Sequence, residues 1–172
     1  MSEAVRQHRH EAPDHVRVAV LTISDSRTPE TDTGGDAIQE ILHEAGHEIT
    51  VRDLVKDEPD EIRQRLAAFL GRDDVDAVVT TGGTGVSLRD STYEVVDGML
   101  EKRLDGFGEL FRALSYEEVG AAAMLSRAVA GTVGRRFVAA LPGSANAARL
   151  ATERLLAPEM PHVVFELRKQ VE

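Results

Sequence analysis

The chain has no cysteine in its 172 residues. That excludes a disulfide framework and any thiolate metal site. It has no run of about eighteen apolar residues, so no membrane-spanning helix is expected. The opening stretch MSEAVRQHRHEAPDH lacks the apolar segment of a secretory signal. It reads as a disordered tail over residues 1–14, followed by a single domain over 15–172, and a cytoplasmic protein is the plain expectation. Lysine is scarce, with Lys56, Lys102 and Lys169 the only three. Acidic residues dominate, and the net charge of −10 argues against nucleic acid as the main partner. Such a balance suits a protein kept soluble at high salt; a high-GC coding bias gives a similar picture.

What is present points to alternating strands and helices. Val16–Ile23, Val75–Val79 and Phe137–Leu141 are short, nearly unbroken apolar runs, as expected of strands buried on both faces. His47–Val55 alternates and reads as a further strand. Ile38, Ile41, Leu42 and Ala45 share a helical face that Gly46 can end. Ile62, Leu66, Phe69 and Leu70 share another, between Pro59 and Gly71. Ser115-Tyr116-Glu117-Glu118 fits a capping box opening a helix through about Leu125. Ser144 can cap a last long helix carrying Leu150, Ala151 and Leu155. Gly131–Arg136 can hold a hairpin turn. The pattern predicts a three-layer αβα sandwich around a mostly parallel sheet.

In such sheets ligands bind outside the carboxyl ends of the strands. Four loops are expected there: Ser24-Asp25-Ser26-Arg27, Lys56-Asp57-Glu58, the stretch TTGGTGVSLRD from Thr80 to Asp90, and Leu141-Pro142-Gly143-Ser144. Glycines let backbone N–H groups approach a ligand, and successive N–H groups form an anion nest. Gly82-Gly83-Thr84-Gly85 and Gly143-Ser144 therefore resemble phosphate cradles. Arg27, Lys56 and Arg89 set a cation beside three of the loops. The glycine loop is neither a P-loop nor a G-x-G-x-x-G fingerprint. Local alternatives compete for the acidic residues. Asp90 can cap a helix over Thr92–Leu100, Asp57 can cap the helix that Pro59 begins, and Asp25 can form an Asx turn.

His43-Glu44-Ala45-Gly46-His47 matches the zinc-protease pattern H-E-x-x-H. That chemistry needs both imidazoles on one helical face. Gly46 ends the helical pattern and His47 starts a strand pattern, so the two side chains are expected to diverge.

ISDSR at Ile23–Arg27, TTGGTG with Arg89-Asp90, LSRAVAG at Leu125–Gly131 and LPGS at Leu141–Ser144 together resemble the MoaB/Mog family of molybdenum cofactor biosynthesis. Leu110–Gly120 (LFRALSYEEVG) favours the MoaB branch. The resemblance covers roughly Val16 to Leu167. It implies a molybdopterin-binding fold and a reaction in which molybdopterin's phosphate attacks the α-phosphate of ATP, with Mg²⁺, releasing pyrophosphate. It implies that Asp57 and Asp90 are needed for the reaction and hold Mg²⁺. It also implies that Ser24, Asp25, Thr81, Gly82, Gly83, Thr84, Gly85, Pro142, Gly143 and Ser144 line the ligand site. Glu94 matches the glutamate of a Thr-Pro-Glu segment, although this chain has Tyr93 in place of the proline. A trimer or hexamer is implied, with Phe107–Phe111 able to serve either a subunit contact or the core. A pterin-binding protein without adenylation activity stays open as the alternative.

Overall fold

The computed structural model describes residues 12–169. Most of the tail expected over residues 1–14 lies outside them. Six strands form one sheet: β1 (Arg17–Ile23), β2 (Glu48–Val55), β3 (Ala77–Thr81), β4 (Lys102–Arg103), β5 (Val129–Val133) and β6 (Arg136–Leu141). Their order is β2-β1-β3-β6-β5-β4. The first four strands across that order run parallel; β5 then pairs antiparallel with β6, and β4 antiparallel with β5. The hairpin expected around Gly134 joins β5 to β6, with Gly134 at φ +54°.

The unbroken apolar strands are explained by helices on both faces. Val18, Val20, Val79 and Ala139 point to one layer, made of α1 (Thr33–Glu44), α4 (Asp105–Val119), α5 (Ala145–Ala151) and α6 (Ala157–Arg168). Ala19, Leu21, Val78 and Val138 point to the other, made of α2 (Pro59–Leu70) and α3 (Thr92–Met99). The expected three-layer αβα sandwich is observed. No helix of the described residues is long and apolar enough to cross a membrane.

One helix start is corrected. Ser115 does not open a helix; it lies inside α4, on its buried side. Phe107, Phe111 and Leu114 carry the core-facing stripe straight through the Ser-x-x-Glu pattern, so packing overrides the local capping signal. Gly120, at φ +62°, stops the helix, and a 3₁₀ stretch over Gly120–Leu125 follows. Within Phe107–Phe111, Phe111 is wholly buried and Phe107 stacks on it at 6.4 Å, while Leu110 faces outward.

The two histidines of H-E-x-x-H diverge as Gly46 (φ +86°) requires. His43 is exposed. His47 is buried; its Nδ1 accepts from the Val16 N–H at 3.3 Å, which leaves Nε2 to donate to the Ala157 carbonyl at 3.0 Å. Both ring nitrogens are spent on backbone.

At the amino end of β3, Asp76 clamps the chain. It accepts from the Arg17 N–H and guanidinium and from Arg168 of α6. Burial opposes its ionisation, but the two arginines outweigh that and hold the carboxyl at about 2. A folded value below the ordinary 3.8 means that the unfolded chain binds the proton first as pH falls. The clamp's contribution is therefore full above that value and lost on acidification towards about pH 2. By linkage it amounts to about 2 kcal/mol. Denaturant unfolding of Asp76→Asn should lack about that much of the wild-type fall between roughly pH 5 and pH 2. An unchanged acid limb would remove Asp76 from the account.

Candidate functional site

Strand register gathers the four loops. Ile23 lies opposite Val55, Thr22 opposite Thr81, and Thr81 opposite Leu141, so β1, β2, β3 and β6 end almost level. Ser24 donates its N–H to the Val55 carbonyl, and Thr81 Oγ1 donates to the Pro142 carbonyl at 2.9 Å. Gly82 donates its N–H to the Leu141 carbonyl at 3.0 Å. It sits at φ +103°, and any Cβ there would strike the Ile23 carbonyl. A Cβ on Gly143 would lie 3.1 Å from the Gly82 Cα. The loops are thus packed backbone on backbone. The Ser24–Arg27 turn is organised by Ser24, whose Oγ accepts from the Ser26 and Arg27 N–H groups, rather than by an Asx turn at Asp25. Ser144 caps α5, its Oγ accepting from the Ala147 N–H.

The glycine loop then leaves its amides unpaired. Among the described residues, the N–H groups of Gly83, Thr84, Gly85 and Val86 meet no acceptor. Three of the four carbonyls, by contrast, are engaged: Gly83 O accepts from Thr92 N–H, and Thr84 O and Gly85 O accept from Arg127. Four consecutive free donors form a nest suited to an anion.

The carboxylates sit against this nest. Asp57 does not cap the helix that Pro59 begins; Glu58 is the flanking residue there, with no side-chain cap. Asp57, only 6% exposed, instead reaches across to α3. Its Oδ1 accepts from the Ser91 N–H at 3.1 Å and the Ser91 hydroxyl at 2.6 Å. Its Oδ2 accepts no hydrogen bond among the described residues, and would lie 2.5 Å from a Cβ on Gly83. Asp90 does not cap α3 either, since Ser91 occupies that position. Asp90 Oδ2 accepts from the Ser87 N–H at 2.8 Å and would lie 2.6 Å from a Cβ on Gly85. The buried Thr92 hydroxyl nearby has no partner among the described residues. No three Asp, Glu or His residues gather closely enough to cage a metal among the described residues.

The expected cations are differently employed. Arg89 donates to both oxygens of Asp25 at 3.0 Å and to Glu58 at 2.9 Å. Arg89, and after it the Asp57 N–H, holds the Asp25 carboxyl below its ordinary range. Arg27 bridges Thr33 and the Gly143 carbonyl, and Lys56 is exposed. Arg127, which donates to the loop carbonyls, also walls a cavity of about 330 Å³ together with Tyr93, Arg103, Asp105, Arg112 and Ser126.

The family described as "Probable molybdopterin binding domain" matches residues 19–162. Molybdenum cofactor biosynthesis protein B of Bacillus cereus is 49% identical over 168 residues, 97% of this chain and 99% of that protein. This chain belongs to the MoaB branch of that family. The Bacillus subtilis protein of the same description is 46% identical over 167 residues, covering 96% and 98%. A crystal structure of a molybdenum cofactor biosynthesis protein B superposes with a TM-score of 0.89 at 50% identity, over 92% of this chain and 99% of that one. A tungsten cofactor synthesizing MoaB from Pyrococcus furiosus gives 0.81 at 37% identity, over 91% and 99%.

In this MoaB-family chain the departure at Tyr93 has a visible result. Its ring lies under the Arg127 guanidinium at 4.8 Å, and its hydroxyl accepts from Arg103. Glu94 pairs with Arg127, which holds its carboxyl below the ordinary value. Arg127 binds the glycine loop, Glu94 and Tyr93 together, yet sequence reasoning gave it no role. Its signal was membership of LSRAVAG. Arg112 and Ser126 were likewise missed.

Proposed function

We propose that this MoaB-family protein adenylates molybdopterin with ATP. The observation that carries the reading is the run of four N–H groups, Gly83 to Val86, unpaired among the described residues, beside oxygens of Asp57 and Asp90 that accept no hydrogen bond there. The nest holds molybdopterin's terminal phosphate. One of its oxygens attacks the α-phosphorus of ATP; a P–O bond forms, the bond from that phosphorus to the β-bridging oxygen breaks, and pyrophosphate leaves with the electron pair. Little covalent work is asked of the protein, and positioning and charge do most of it.

Mg²⁺ fits the donor set. Oδ2 of Asp57 is free and Asp90 retains a free oxygen, and two carboxylates plus phosphate oxygens and water are this ion's usual company. Held there, it would neutralise phosphate charge as pyrophosphate departs. The protein's own part is to keep the two carboxylates fixed through Ser91 and Ser87. The trimer or hexamer of the resemblance would bury Leu110, Tyr116 and Val119, which stand exposed on α4. The cytoplasm, where ATP is plentiful, is the compartment this reaction needs.

The test is incubation of the protein with molybdopterin, ATP and Mg²⁺. Adenylyl-molybdopterin and pyrophosphate should appear in equal amounts, and neither should appear when Mg²⁺ is withheld. Bound pterin with no adenylyl product would make the protein a binding protein of the pathway instead.

A further inference from the structure

Arg112 is unusual in a chain of net charge −10. Among the described residues it is the one partly buried arginine that reaches neither an acceptor nor a carboxylate. Arg17, Arg52, Arg127 and Arg136 are similarly buried, and each donates to named oxygens. Withdrawing a guanidinium from water without a partner is unfavourable. The arrangement is nonetheless built for it. Gly108, one turn earlier on α4, leaves the space into which the guanidinium folds back. A Cβ on Gly108 would lie 2.8 Å from Nη1 and 2.9 Å from Nη2.

Arg112 lines the cavity of about 330 Å³ whose wall includes Arg127, the arginine that binds the glycine-loop carbonyls. The other arginines of its wall are occupied: Arg127 by Glu94 and the loop carbonyls, Arg103 by Asp97 and Tyr93. The wall also carries Ser126, whose buried hydroxyl has no partner, and the Tyr93 ring. Its volume lies at the small end of ligand sites, enough for a fused two-ring heterocycle and short of a whole nucleotide. The cavity wall also carries Asp105, which stands 4.0 Å from Arg103 Nε. Arg112 is thus the wall's arginine whose charge no carboxylate meets among the described residues.

We propose that Arg112 is a specificity residue that binds the second anionic group of the organic substrate, the one remote from its phosphate. The inference rests on the adenylation reading above for the identity of that substrate. In molybdopterin the group is the ene-dithiolate next to the pterin ring. The phosphate lies on Gly83–Val86, the ring lies along Tyr93, and the dithiolate faces Arg112. A substrate with a phosphate but no second negative centre leaves Arg112 unpaired and binds less well.

The probe is 6-carboxypterin, a fluorescent pterin with one anionic group and no phosphate, titrated into the intact protein. Wild type should bind it. Arg112→Met, which keeps much of the side chain's packing, should weaken binding about tenfold or more, the scale of one charge-assisted hydrogen bond. Arg112→Lys should recover part of the loss. Gly108→Ala should weaken binding too, although no charge is removed, because its methyl displaces the guanidinium. Affinity for Mg–ATP, measured in the same variants, should not change. Wild-type affinity in Arg112→Met, or failure of wild type to bind the probe, would overturn the proposal. Binding through Arg112 in a protein that forms no adenylyl product would keep this inference and remove the adenylation reading.

Discussion

Asp57→Asn is expected to fold, to bind molybdopterin, and to form adenylyl-molybdopterin about a hundredfold more slowly than wild type, the scale of losing one preorganised electrostatic group. The structure makes this substitution clean. Asparagine keeps an oxygen where Oδ1 accepts from the Ser91 N–H and hydroxyl, so the start of α3 stays anchored. The Asp57 N–H can still donate to Asp25. What is lost is the negative charge and the unengaged Oδ2, the atom that the proposed reaction would offer to Mg²⁺. Melting close to that of wild type together with a collapsed rate would assign Asp57 to the chemistry. A normal rate would leave it as the anchor of Ser91 alone. Asp90→Asn should behave in the same way, since its amide oxygen can keep the Ser87 N–H. If both carboxylates serve one ion, the double variant should be far less impaired than the product of the single losses predicts, because removing either already disables the shared function.

Gly82→Ala is expected to fail differently, losing stability and ligand binding together. The position has φ +103°, which an alanine adopts only with strain, and its methyl would drive into the Ile23 carbonyl at the end of β1. That neighbour is backbone and cannot swing aside. Separating the β1 and β3 ends would also disturb the Gly82 N–H bond to Leu141. A loss of about 3 kcal/mol or more is expected, the range of overpacking combined with backbone strain. Gly98→Ala is the control. It lies in α3, nothing stands within 4 Å of its added methyl, and helix propensity should make it neutral or stabilising by up to about 1 kcal/mol. Equal melting temperatures for the two variants would refute the packing account.

Much of this could be read from local pattern. Apolar runs such as Val16–Ile23 announced strands covered on both faces, and core-facing residues such as Ile38 and Leu42 gave α1, because these signals repeat within a few residues. The carboxyl-end loops followed from the strand–helix alternation, and Gly46 separated the two histidines without need of coordinates. The Ser115 box misled because a capping motif is local, whereas α4 is held by Phe107 and Phe111 against a sheet assembled from distant segments. Side-chain partners were out of reach for the same reason. Asp57 meets Ser91 across 34 residues, Arg127 meets Thr84 across 43, and Arg89 meets Asp25 across 64. Residue types and spacing determined the layers and the glycine loop, while the candidate carboxylates Asp57 and Asp90 came from the family resemblance. Only the tertiary packing decided which charges cancel at the site and which, as at Arg112 on α4, stay unpaired, because charge pairing depends on distances between segments that lie far apart along the chain.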